Sequence, residues 1–129
     1  HILTEFHPWL PSVYFDADPT LLQIAEKTAR GPDFTRPVHF GKTVTGDKFI
    51  QEAFRAEINK KYAPLAVDME SASIAHVCYV NRIPFLAVRS VTDTASHAGL
   101  EHFERNCKSA SAISKDFVLA LLKRLADCG

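Results

Sequence analysis

Three short segments concentrate the side chains able to do chemistry: Thr45-Gly46-Asp47-Lys48-Phe49, Asp68-Met69-Glu70 and Thr92-Asp93. Each follows a run rich in strand-favouring residues, so each is expected at the carboxyl end of a strand. In open α/β sheets ligands bind beyond those ends, and parallel strands would bring all three segments to one rim. Two carboxylates there, with an aromatic ring and a methionine, suit a planar base joined to a sugar. Every one of these residues also has a purely structural reading. Asp93 suits a helix N-cap, Asp68 or Glu70 suits a first-turn acid facing the helix dipole, and Phe49 and Met69 suit a core by their spacing. Periodicity leaves both readings open.

The elements that must position these residues are legible from local signals. Residues up to Asp18 read as an irregular, aromatic-rich loop. Asp18-Pro19 is a helix start, with an acid at the N-cap and proline at the first helical position. Leu21, Leu22, Ile24, Ala25 and Thr28 make its apolar face, and Gly31-Pro32 stops it. Pro37 to Thr45 favours a strand, Gly46-Asp47 turns the chain, and a helix of about a dozen residues is expected to carry Phe49, Ile50, Ala53, Phe54 and Ile58. Leu65-Ala66-Val67 reads as a short strand and Ser71 to Tyr79 as a small-residue helix, broken by Asn81-Arg82. Pro84 to Ser90 is the most strand-like run, of the kind buried on both faces. Val91 to Gly99 reads as a loop, and an amphipathic helix is expected from about Leu100 to Ala126. This β-α-β-α-β-α alternation predicts an α/β layered fold with largely parallel strands. No internal repeat or linker divides residues 1–129, which read as a single domain.

Composition narrows the partners. The chain has 129 residues with 15 Lys+Arg against 15 Asp+Glu, and this balance, without any basic run, argues against nucleic acid or an anionic membrane. A hydrophobic fraction of 47% and a charged fraction of 23% are those of a globular chain. No apolar stretch approaches ~18 residues, so no membrane span is expected. Cys78, Cys107 and Cys128 form no CxxC pair and read as thiols of a reducing cytoplasm. His97, His102 and Cys107 match no metal-ligand spacing, so no metal is expected. The chain opens at His1 instead of methionine, which suggests processing or a piece of something longer.

The string VDMESASIAHVCYVNRIPFLAVRSVTDTA (Val67 to Ala95) resembles the C-terminal half of bacterial 5′-methylthioadenosine/S-adenosylhomocysteine nucleosidases, within the nucleoside phosphorylase superfamily. GKTVTGDKFI (Gly41 to Ile50) resembles that family's G-x-x-x-S-G-D-x-F-I segment, and ILTEF (Ile2 to Phe6) its dimer-interface loop. The resemblance implies a three-layer αβα fold with a mixed, largely parallel sheet, of which this chain is the C-terminal half. It implies hydrolysis of the N-glycosidic bond of methylthioadenosine and S-adenosylhomocysteine, with no cofactor. Asp93 would be the general acid at purine N7. Thr92, where the family usually has serine, would orient it. Phe49 would stack on adenine and the Ile50 backbone would read its edge. Met69 would pack on the ribose, Glu70 would bind its hydroxyls and help place the attacking water, and Phe103 would line the pocket. Leu3, Phe6 and Pro11 resemble residues that reach into the neighbouring subunit's alkylthio site, so a homodimer is implied.

Those roles fit the chemistry. Glycosidic cleavage passes through an oxocarbenium-like transition state, which needs leaving-group protonation on one side and a positioned nucleophile on the other. The family's water-activating glutamate belongs to its N-terminal half, which has no counterpart in these residues, so activity is expected to need that half. Two other readings stand beside this one. A purine nucleoside phosphorylase shares the M-E-S and (S/T)-D motifs, and a non-catalytic purine-nucleoside-binding half-domain would keep the pocket without turnover.

Overall fold

The computed structural model describes residues 12–50, 52–92 and 100–127, with the backbone alone at 52, 53 and 100–104. Helix α1 spans Pro19–Ala29 and begins as its sequence dictates: the Asp18 carboxylate accepts from the Leu21 N–H at 2.9 Å, and proline fills the first turn. Ile24, Ala25 and Thr28 are its buried stripe. The Thr28 hydroxyl satisfies itself on the Ile24 carbonyl at 2.8 Å, which lets a polar side chain sit fully buried.

Strand β1 (Thr43–Thr45), helix α2 (Glu52–Tyr62) and strand β2 (Ala66–Asp68) form a β-α-β unit. The two strands pair in parallel, with Thr43 opposite Ala66, Val44 opposite Val67 and Thr45 opposite Asp68. Helix α3 (Ser71–Val80) follows β2 after two residues, and helix α4 (Leu100–Ala126) closes the chain. At the end of α3, Arg82 takes a left-handed conformation (φ 56°), and the N–H groups of Arg82 and Ile83 bond to the carbonyls of Tyr79 and Cys78 at 3.2 and 2.9 Å. These paired bonds satisfy the last carbonyls of the helix and send the chain sharply into residues 83–92.

Helices α1 and α4 pack on each other. Their core is Ile24, Ala25, Phe34, Phe117 and Leu121, with Val38, Leu86, Val88 and Ile113 packed against it. No helix among the described residues is long and apolar enough to cross a membrane.

Three expectations change. The strand expected over Pro37 to Thr45 contracts to Thr43–Thr45, and the following helix starts only at Glu52, leaving Phe49 and Ile50 in the loop before it. More consequentially, Pro84 to Ser90 forms no ladder with β1 or β2. Its side chains still alternate: Leu86 and Val88 pack on the α1–α4 core, while Ala87 and Arg89 face away and are exposed. The segment thus packs on the core through Leu86 and Val88 without a ladder, because side-chain alternation is intrinsic to an extended chain whereas a ladder needs a neighbouring strand edge.

Candidate active site

The parallel register does the first work. Because Thr45 lies opposite Asp68, the carboxyl ends of both strands reach the same rim, and the Gly46 N–H bonds to the Asp68 carbonyl at 3.0 Å. The loop carrying Asp47, Lys48, Phe49 and Ile50 thus leaves the sheet beside the loop carrying Met69 and Glu70. Phe49, Ile50 and Met69 line the same open concavity as Thr45, Ser71 and Arg89. Phe49 is 48% exposed and Met69 47%, so neither belongs to the core that spacing alone allowed.

Behind this surface lies a polar cluster centred on Asp68, whose side chain is only 9% exposed. Its Oδ1 accepts from the Thr45 hydroxyl at 2.7 Å and from the N–H groups of Ser71 and Glu70 at 3.1 and 3.3 Å. Its Oδ2 accepts from the Ser71 hydroxyl and meets Arg89 Nε at 3.0 Å. Thr45 is itself tied to α3, since its oxygen accepts from the Ala72 N–H at 2.9 Å. A buried carboxylate survives only when its acceptor sites are filled in this way.

Arg89 completes the cluster from across the chain. Its Nε and Nη2 donate to the Ser71 hydroxyl at 3.0 and 2.9 Å, and its Nη1 reaches the Glu70 carboxylate at 3.4 Å. One planar guanidinium thereby holds a buried carboxylate and an exposed one together, as its rigid fork permits. The two acids divide the roles that sequence left open between them. Asp68 caps the start of α3, whereas Glu70, at the N-cap position by backbone, makes no side-chain capping bond and keeps its carboxylate 60% exposed. Of these two acids, Glu70 is the exposed one.

Burial by itself pushes the Asp68 pKa up. Hydrogen bonds from the Ser71 hydroxyl, the Thr45 hydroxyl and the Ser71 N–H, with the Arg89 charge, outweigh it and hold the group below its ordinary 3.8. The folded chain thus binds this proton less readily than the unfolded chain. Asp68 contributes its stability in full above pH 3.8, and loses it as pH falls through the depressed folded value. Urea unfolding across the acid range is expected to show a steep decline in the native chain and a shallower one in Asp68→Asn. Equal slopes would remove Asp68 from the account of acid stability.

Thr92 lies at the end of the 83–92 segment, and its carbonyl accepts from Asn106 Nδ2 on α4 at 2.8 Å. Asp93, Leu3, Phe6 and Pro11 lie outside the described residues, as does the side chain of Phe103. Among the described residues no group of three or more His, Cys, Asp or Glu side chains could hold a metal ion.

By sequence alone Arg89 reads only as part of an apolar strand, Ser71 as the start of a small-residue helix, and Thr45 as a polar residue at a strand end with no partner assigned. A single charge inside PFLAVRS was the available signal for Arg89. Ser71, three residues after Asp68, was the available signal for the cap.

The sequence model of the phosphorylase superfamily matches residues 2–123. A 5′-methylthioadenosine/S-adenosylhomocysteine nucleosidase of Exiguobacterium sp. (strain ATCC BAA-1283 / AT1b) is 36% identical over 121 residues, covering 92% of this chain and 51% of the relative. A solved 5′-methylthioadenosine/S-adenosylhomocysteine nucleosidase of Colwellia psychrerythraea 34H, in complex with adenine, superposes with a TM-score of 0.83 at 29% identity, over 93% of this chain and 50% of that one. Native futalosine hydrolase of Helicobacter pylori strain 26695 gives a TM-score of 0.83 at 22% identity, over 92% and 50%, a likeness of fold. The α/β class expected from the alternation of elements is thus borne out. The chain spans about half the length (51%) of the curated relatives of Exiguobacterium sp. and Bacillus velezensis that it matches.

Proposed function

The chain belongs to the phosphorylase superfamily, and from that premise we propose that it forms the purine- and ribose-binding half of a nucleosidase. The reaction is hydrolysis of the N-glycosidic bond of 5′-methylthioadenosine and S-adenosylhomocysteine, releasing adenine and the corresponding thioribose. The observation that carries this reading is the parallel register that sets the Phe49–Ile50 loop beside Met69-Glu70, with the Glu70 carboxylate exposed and held by Arg89.

In this reading Phe49 stacks on adenine, the Ile50 backbone reads its edge and Met69 packs on the ribose. Glu70 accepts hydrogen bonds from the ribose hydroxyls and helps place the attacking water. Asp93, oriented by Thr92, donates a proton at N7, so that adenine leaves neutral as the oxocarbenium character develops. Phe103 lines the pocket. Leu3, Phe6 and Pro11 close the alkylthio site of a second subunit in a cytoplasmic homodimer serving methionine salvage. Residues 1–129 form one structural unit, the C-terminal part of the nucleosidase domain, and the water-activating glutamate is supplied by another segment.

The test is adenine release from methylthioadenosine by the chain alone and by the chain co-expressed with the N-terminal half of a curated relative, each with and without phosphate. Release is expected only in the complemented sample, unaffected by phosphate, with free methylthioribose as co-product. Phosphate-dependent formation of a sugar phosphate would replace this reading by a phosphorylase. Full hydrolysis by a sample of intact mass 14.4 kDa would refute the division of catalytic residues between two segments.

A further inference from the structure

We propose that Asp68 is a positioning residue for the ribose-binding carboxylate: it anchors Arg89, and Arg89 in turn fixes Glu70. The proposal rests on the nucleoside-binding reading above and adds to it a residue that touches no ligand.

The two oxygens of Asp68 have separate tasks. Oδ1 holds the local fold, through the Thr45 hydroxyl and the first N–H groups of α3. Oδ2 faces the Ser71 hydroxyl and Arg89 Nε. Arg89 arrives from a segment that makes no ladder with β1 or β2, and its side chain is 36% exposed. The contacts at Nε and Nη2, with Asp68 and Ser71, fix the plane of the guanidinium and leave Nη1 pointing at Glu70. Glu70 itself stands in an exposed loop, and its side chain makes no capping bond. A flexible carboxylate held in place before the ligand arrives loses less freedom on binding.

Asp68→Asn separates the two tasks. The asparagine Oδ1 still accepts from Thr45 and from the backbone of α3, while its NH2 sets donors against Arg89 and Ser71. Dissociation constants are measured by calorimetry for two ligands: free adenine, and the carbon-linked analogue of methylthioadenosine, which cannot be hydrolysed. The expected result in Asp68→Asn is about tenfold weaker binding of the nucleoside analogue, with adenine unchanged within about twofold, because only the nucleoside offers ribose hydroxyls to Glu70. Arg89→Lys, which keeps the charge but loses the fork, is expected to show the same split and serves if Asp68→Asn does not fold. A merely structural role would weaken both ligands in parallel, and that result, or no change in either ligand, overturns the proposal. A native chain that binds neither ligand overturns the nucleoside reading itself, and this inference with it.

Discussion

Asp93→Asn is expected to slow methylthioadenosine hydrolysis by about 10²–10⁴-fold in the complemented enzyme, the range lost when a positioned proton donor is removed. Adenine affinity should stay within a few-fold of the native value. Asparagine preserves size and can still donate a hydrogen bond to N7, but it has no proton to transfer as the bond to the sugar breaks. The purine would then have to leave as an anion. The described chain leading up to this residue is anchored: Leu86 and Val88 pack against the helical core, and Asn106 Nδ2 donates to the Thr92 carbonyl at 2.8 Å. Steady-state adenine release, paired with calorimetric binding of adenine, separates the two effects. Near-normal turnover would return Asp93 to the role of a helix N-cap.

Phe117→Ala is expected to cost about 3–5 kcal/mol, the usual range for emptying an aromatic site in a core. That is a large part of the roughly 5–15 kcal/mol that holds a typical domain together. Phe117 is buried between α1 and α4 and meets Phe34 edge-on, with ring centroids 5.0 Å apart and planes at 76°. Such pairs add about 0.5–1.5 kcal/mol beyond area burial. The same cluster carries Leu86 and Val88, so the cavity lies directly behind the segment that presents Arg89. Urea midpoints at constant slope measure the loss. A cost below about 1 kcal/mol, the level of a tolerated swap, would show that the α1–α4 core does not support this face.

Both outcomes trace to features of unequal visibility in the sequence. The motif segments that carry Phe49, Ile50, Met69 and Glu70 could be named without a structure, because their residue types and order are the signal. The cluster behind them could not. Asp68 is joined to Arg89, and Arg89 to Ser71, across a separation of 18 positions between the latter two, and nothing local in either stretch announces the pairing. The carboxylates of Asp68 and Glu70 stand two positions apart and look alike in sequence. One is a buried cap and the other is exposed, and only their surroundings make the difference.

What the sequence determined by itself was the part of the fold that capping and long helical periodicity decide. Asp18-Pro19 starts α1, and the long amphipathic pattern runs from Leu100 to Ala126, where α4 is found. Capping and helical periodicity are written within a few residues of where they act. The tertiary structure decided what depends on distant partners. Pro84 to Ser90 reads as a strand, yet it makes no ladder with β1 or β2 and packs on the helical core through Leu86 and Val88. The parallel register of Thr45 with Asp68 decides which acid is buried, and the reach of Arg89 decides how the exposed one is held. Side-chain alternation belongs to the chain itself, whereas a ladder, a register and an ion pair each require a second segment to be in place.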